Sequence, residues 1–165
     1  MTGEERGPNM TTPIPEQTQA TAGRSESLLR SGIEIILNSG ASIRVSGDCM
    51  SPLIPVASRI KVETCNTDSI RPGDIVLMQS GTVFVLHRYI GKTASPDGTM
   101  LLTKADKSRR PDKPWLAAAL VGRLSDIQRG DKWHEYAPGF LCRTTSVIYG
   151  LLWRLFLKVK GATRP

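Results

Sequence analysis

The sequence predicts a small, mainly β domain, a twisted β-barrel or sandwich, with one helix before it and one after it. Short alternating or apolar runs recur between residues 42 and 124, separated by Gly, Pro and Asp turn signals. Helical periodicity is confined to the two flanks, so nothing alternates strand with helix as a parallel α/β sheet requires. At 165 residues the chain has the length of one domain and can bury a substantial core.

Residues 1–24 carry Pro8, Pro13 and Pro15 among Thr and Gln, with almost nothing apolar. Such a segment cannot bury enough surface to offset its ordering entropy, and a disordered tail is predicted there. Over residues 25–40 the pattern becomes helical. Leu28, Leu29, Ile33, Ile36 and Leu37 share one side, Ser25 or Ser27 can cap the start, and Gly40 can end it. Residues 41–128 form the β domain. Its strands are read at Ser42–Ser46, Arg59–Glu63, Ile75–Met78, Val83–Ile90, Met100–Thr103 and Leu120–Leu124, with Pro72-Gly73-Asp74, Gly81 and Pro96-Asp97-Gly98 as turns. Residues 129–165 read as a linker and a basic, apolar C-terminal helix. From Ser146 to Val159 only Ser146, Gly150, Arg154 and Lys158 are not apolar, and they recur at every fourth position as a narrow polar stripe. These 14 residues would rise about 21 Å, short of the roughly 30 Å of a bilayer core. The helix is therefore expected to lie in an interface rather than span it, with Trp153, Arg143, Arg154, Lys158 and Lys160 suited to anionic lipid.

The net charge of +7 and the pI near 9.7 point to an acidic neighbour, nucleic acid or anionic lipid. Aromatic residues are only 5% and no basic run interleaves with them, so no nucleic-acid partner is expected. Cys49, Cys65 and Cys142 lack metal or redox-pair spacing, which predicts no metal, no cofactor and a reducing, cytoplasmic setting. Met1–Gly23 has no apolar core of the kind a signal peptide needs.

The chemistry is concentrated in Gly47-Asp48-Cys49-Met50-Ser51-Pro52. Gly47 lets the backbone bend at the end of a strand and Pro52 stiffens the segment after it, so that Cys49 is displayed on a rigid turn. A small core cysteine would read the same way. A thiol attacks as thiolate and needs a base at neutral pH. Two histidines offer one: His87, inside a strand, and His134, in a loop-like stretch.

Five segments, in order, resemble the signal peptidase and LexA-like superfamily, in particular the eukaryotic and archaeal type of signal peptidase. They are Gly47–Pro52, Arg71-Pro72-Gly73-Asp74-Ile75-Val76, Leu86-His87-Arg88-Tyr89-Ile90, Thr103-Lys104-Ala105-Asp106 with Asp112 beyond it, and Val121-Gly122-Arg123. The resemblance implies the small β-barrel of that superfamily. It places Cys49 at the nucleophile, where the family has serine, His87 at the general base and Asp112 at the carboxylate that orients the histidine. Asp106 stands beside Asp112 as a supporting residue, with Gly47, Met50 and Pro52 supporting the nucleophile turn. Cysteine for serine, and Ala105 for the family's glycine, are departures.

The function so implied is a peptidase that removes a leader or signal-type segment from a peptide precursor. Its partners would be a peptide or protein substrate in extended conformation and an anionic membrane surface met through residues 143–160, with the protein peripheral to the membrane. The competing readings are a catalytically inactive peptide-binding module of the same fold, and a LexA-like regulator.

Overall fold

The strand around which the others are arranged is β3, Ile75–Ser80, whose Ile75, Val76, Leu77 and Met78 are each at most 4% exposed. A four-residue apolar run without alternation fits a strand covered on both faces, and β3 separates two cores. Ile75 and Leu77 join Leu37, Met50, Ile54, Ile60, Val62, Leu86, Val121, Leu124 and Ile127, whereas Val76 and Met78 join Ile70, Tyr89, Leu101 and Leu120. These relations come from a computed structural model of the chain, which describes residues 16–162 and the side chains of residues 26–158.

The remaining strands are β1 (Ile43–Arg44), β2 (Arg59–Thr64), β4 (Val83–Ser95), β5 (Gly98–Lys104), β6 (Trp115–Leu116), β7 (Leu120–Arg129) and β8 (Lys132–Glu135). They form one antiparallel sheet in the order β1-β2-β7-β3-β4-β5-β6, with β8 paired to β7. The first and last strands of that path do not pair, so the expected barrel is an open, eight-stranded sheet. Both of those strands are only two residues long, too short to supply a closing ladder. The sheet also continues beyond the predicted limit at residue 128. Ile127 pairs with Ile60 on one side and His134 on the other, which puts His134 in an exposed strand rather than a loop.

Helix α1 spans Glu16–Asn38, so the tail expected over residues 1–24 is replaced by helix from residue 16; residues 1–15 lie outside the described residues. No proline follows Pro15 in this segment, and Glu, Gln and Ala between 16 and 22 are good helix formers. Of the predicted apolar side, Leu37 is buried and Ile33 half-buried, while Leu28, Leu29 and Ile36 are exposed. The Arg30 guanidinium tethers the helix by donating to Ala118 O and Leu120 O.

Helix α2 runs Phe140–Ala162, 23 residues, and packs along β4. Its first six residues, polar at Arg143, Thr144 and Thr145, lie outside the predicted 14. At full length it measures about 34 Å at about 1.5 Å per residue, so the expectation that it is too short to cross a bilayer core does not hold. Phe140–Lys158, with a mean hydropathy of 1.2, is long and apolar enough to cross a membrane by length and composition. As far as Arg154 the polar stripe faces β4 and not solvent, and only Lys158 is exposed. Ser146 is 5% exposed, Gly150 lies against the Ile90 carbonyl so closely that a Cβ there would overlap it, and Arg154 covers Gly91.

Candidate functional site

Cys49 sits on the turn after β1, closed by Ser51 N–H donating to Asp48 O at 3.0 Å and Ile54 N–H to Met50 O at 2.9 Å. Met50 and Ile54, at 1% and 0% exposure, plug the turn into the first core. The expected stiffness of this segment thus comes from buried apolar anchors; Pro52, after a cis Ser51–Pro52 bond, is exposed. Gly47 is exposed, and a Cβ there would sit 4.0 Å from the Cys49 sulfur, so space is open beside the thiol. A loop from the far side of the sheet completes the support. Lys107 N–H donates to Cys49 O at 3.0 Å, and its ammonium pairs with Asp48.

His87 lies on β4 opposite Val76 of β3. Its Nδ1 is 2.6 Å from Asp112 Oδ2, and both side chains are largely covered, at 13% and 20% exposure. The same carboxylate oxygen accepts the Thr103 hydroxyl at 2.6 Å, and Asp112 N–H donates to Thr103 O at 2.9 Å. Burial alone would raise the Asp112 pKa. The bonds from His87 and Thr103 outweigh it and hold the carboxyl below its usual range. An ionised Asp112 accepting from Nδ1–H fixes the neutral tautomer that leaves Nε2 free as a proton acceptor.

The thiol approaches β4 beside this pair. Cys49 Sγ donates to Leu86 O, the carbonyl of the residue before His87, at 3.7 Å. That is its hydrogen bond among the described residues; the imidazole does not take it. Burial pushes the Cys49 thiol pKa up, and the charges of Asp48 and Asp112 add to the rise, against the pull of the Cys49 and Met50 amides. That shift and the bond donated to Leu86 O both favour the protonated thiol.

Asp106 receives both Nε and Nη2 of Arg88, at 2.7 and 2.6 Å. Adjacent residues of a strand leave on opposite faces, so the His87-Arg88 pair sends an imidazole to Asp112 and a guanidinium to Asp106. Arg88 Nη1 also donates to Gly73 O at 2.8 Å and Tyr136 OH at 2.7 Å, and contacts Cys142 Sγ at 3.0 Å. Burial alone would lower the Arg88 pKa, but Asp106 and Tyr136 raise it above its usual value. Lys104, Asp106, Cys142, Tyr149 and Arg88 line a cavity of about 390 Å³ between α2 and the sheet.

His87, Asp112 and Thr103 thus come together from separate segments, while Cys49, held by Lys107 N–H, meets β4 at the Leu86 carbonyl. Thr103 was legible only as part of the Thr103–Asp106 segment, because its role depends on the backbone pairing with Asp112. Lys107 left no sequence signal, since any basic loop residue could have met Asp48. Among the described residues no group of three or more His, Cys, Asp or Glu could hold a metal ion. No protein-family model matches the chain, and no curated protein sequence matches it.

Proposed function

We propose that the chain is a cysteine-type peptidase acting on an extended peptide, with the fold and residue roles of the signal peptidase and LexA-like superfamily. The observation that carries this reading is the 2.6 Å His87–Asp112 bond with the Cys49 thiol seated on the neighbouring Leu86 carbonyl. Substrate docks as a further strand on the outer edge of β1, which has a sheet neighbour on one side only, and runs past exposed Ser46 and Gly47 to the thiol.

In the reaction the thiol turns from Leu86 O to the imidazole and its proton passes to Nε2 of His87. The sulfur adds to the scissile carbonyl carbon, and the oxyanion is met by the Cys49 amide. His87 then hands the proton to the leaving amine as the C–N bond breaks, leaving a thioester. Water, deprotonated by His87, hydrolyses the thioester and restores the thiol. Asp112 stays ionised and supports the imidazolium through each transfer.

A second reading, an inactive peptide-binding module, draws on the raised pKa of the thiol and its bond to a backbone carbonyl. Incubating the full chain with a library of unstructured peptides, and detecting new termini by mass spectrometry, separates the two. Cleavage that is lost in Cys49→Ala and His87→Ala supports the peptidase. Peptide retention without cleavage, unchanged in both variants, supports the binding module.

A further inference from the structure

Helix α2 is built inside out for a helix in water. Cys142, Ser146, Gly150 and Arg154 recur every fourth residue and face β4, with Cys142 on Arg88, Gly150 on Ile90 O and Arg154 over Gly91. The opposite side carries Phe140 at 81% exposure, Leu141 at 78%, Leu152 at 62% and Leu155 at 61%, with Ile148 and Leu151 between them. Soluble monomers rarely leave so continuous an apolar stripe open to water.

The charges around that stripe identify what covers it. Residues 140–162 contain no Asp or Glu. Tyr149 OH donates to Arg109 O at 2.7 Å, which brings the 104–114 loop to the flank of the helix. On that loop Arg109, Arg110 and Lys113 are exposed, while its two carboxylates are already taken, Asp106 by Arg88 and Asp112 by His87. Lys158 is exposed near the far end. An apolar face on a helix without carboxylates, flanked by a loop whose unpaired charges are cationic, complements an anionic lipid surface. A second copy of the chain would bring the same cations against one another.

We infer that α2 is a membrane-docking face, lying in the plane of an anionic bilayer with Phe140, Leu141, Leu152 and Leu155 in the acyl region and Arg109, Arg110 and Lys113 at the phosphates. The helix does not leave the sheet to do so. The Gly150 fit and the Cys142–Arg88 and Tyr149–Arg109 contacts hold it along β4. Crossing the bilayer would strip these away and leave the Arg88 cluster uncovered. This inference stands apart from the peptidase reading, since none of its residues belongs to the Cys49 site.

The test is sedimentation of the full chain with phosphatidylcholine vesicles, with and without phosphatidylglycerol, at low and high salt. Binding is expected to be at least about tenfold stronger with the anionic lipid and to weaken as salt rises. The double variant Leu152→Glu/Leu155→Glu, altered only at exposed positions, should lose binding and keep its Tm. Arg109→Ser and Arg110→Ser should each weaken binding by about fivefold. Equal binding to both vesicle types, or none, overturns the inference. A lipid-free dimer that Leu152→Glu/Leu155→Glu dissolves would assign the face to a second copy instead, and resistance to alkaline carbonate extraction would overturn the in-plane position.

Discussion

Replacing Thr103 by valine removes one hydroxyl and leaves the volume of a fully buried side chain almost unchanged. What is lost is the 2.6 Å bond to Asp112 Oδ2. A hydrogen bond to a charged acceptor contributes about 1.5–3 kcal/mol, and Asp112 retains its bond to His87, so a loss of about 2 kcal/mol is expected at pH 7. The same quantity reappears as a titration. Without that donor, the Asp112 pKa in Thr103→Val should rise. The native Asp112 pKa lies below its unfolded value, so its stabilisation is present above the ordinary carboxylate range and is lost as the pH falls through the native pKa. The gap between wild type and variant should therefore be full at neutral pH and shrink on acidification. Denaturant unfolding at a series of pH values, with carboxyl NMR for Asp112, measures both. A gap that is the same in acid and at pH 7 would refute the reasoning, because the hydroxyl would then be acting through packing and not through the carboxylate.

Two further substitutions probe the frame of the site. Arg88→Met should destabilise the fold by about 3 kcal/mol, since it leaves Asp106 largely covered and unpaired; Arg88→Met/Asp106→Asn should recover part of that in denaturant unfolding, and additive losses would show that the pair is not coupled. Gly150→Ala and Gly32→Ala should have opposite signs. In α1 nothing lies within 4 Å of a Cβ at Gly32, and helix propensity should stabilise by about 1 kcal/mol. At Gly150 the overlap with Ile90 O should override the same propensity and destabilise by about 1–3 kcal/mol; stabilisation there would mean that α2 does not rest on β4.

Much of the sheet was legible because β strands of this kind announce themselves locally. β2 and β3 fall within two residues of the runs that predicted them, since alternation and turn residues are properties of a short window. The extension of β4 to Ser95 was not, because Lys92, Ala94 and Ser95 belong to a hairpin arm with no apolar side to betray it. For the site, the resemblance grouped Cys49, His87 and Asp112 without any knowledge of their geometry. It gave no partner for Asp106, because whether a carboxylate meets His87 or Arg88 depends on which face of β4 its loop reaches. The orientation of α2 was the least legible feature. A four-residue polar stripe has the same period whether it faces water or a strand, and only the packing of Ser146, Gly150 and Arg154 on the sheet decides between them.

The register of β4 shifts between Tyr89 and Gly91, so one residue more lies on this strand than on its neighbour. Upstream of that irregularity the strand decides which face receives the imidazole and which the guanidinium; a slip by one residue there would exchange them. Downstream, toward Pro96-Asp97-Gly98, the count of residues touches neither. The hairpin tip is thus where this lineage could gain or lose residues without rewriting the site, and the stretch from His87 to Ile90 is where a single insertion would be felt at once by the thiol, by the buried ion pair and by the terminal helix.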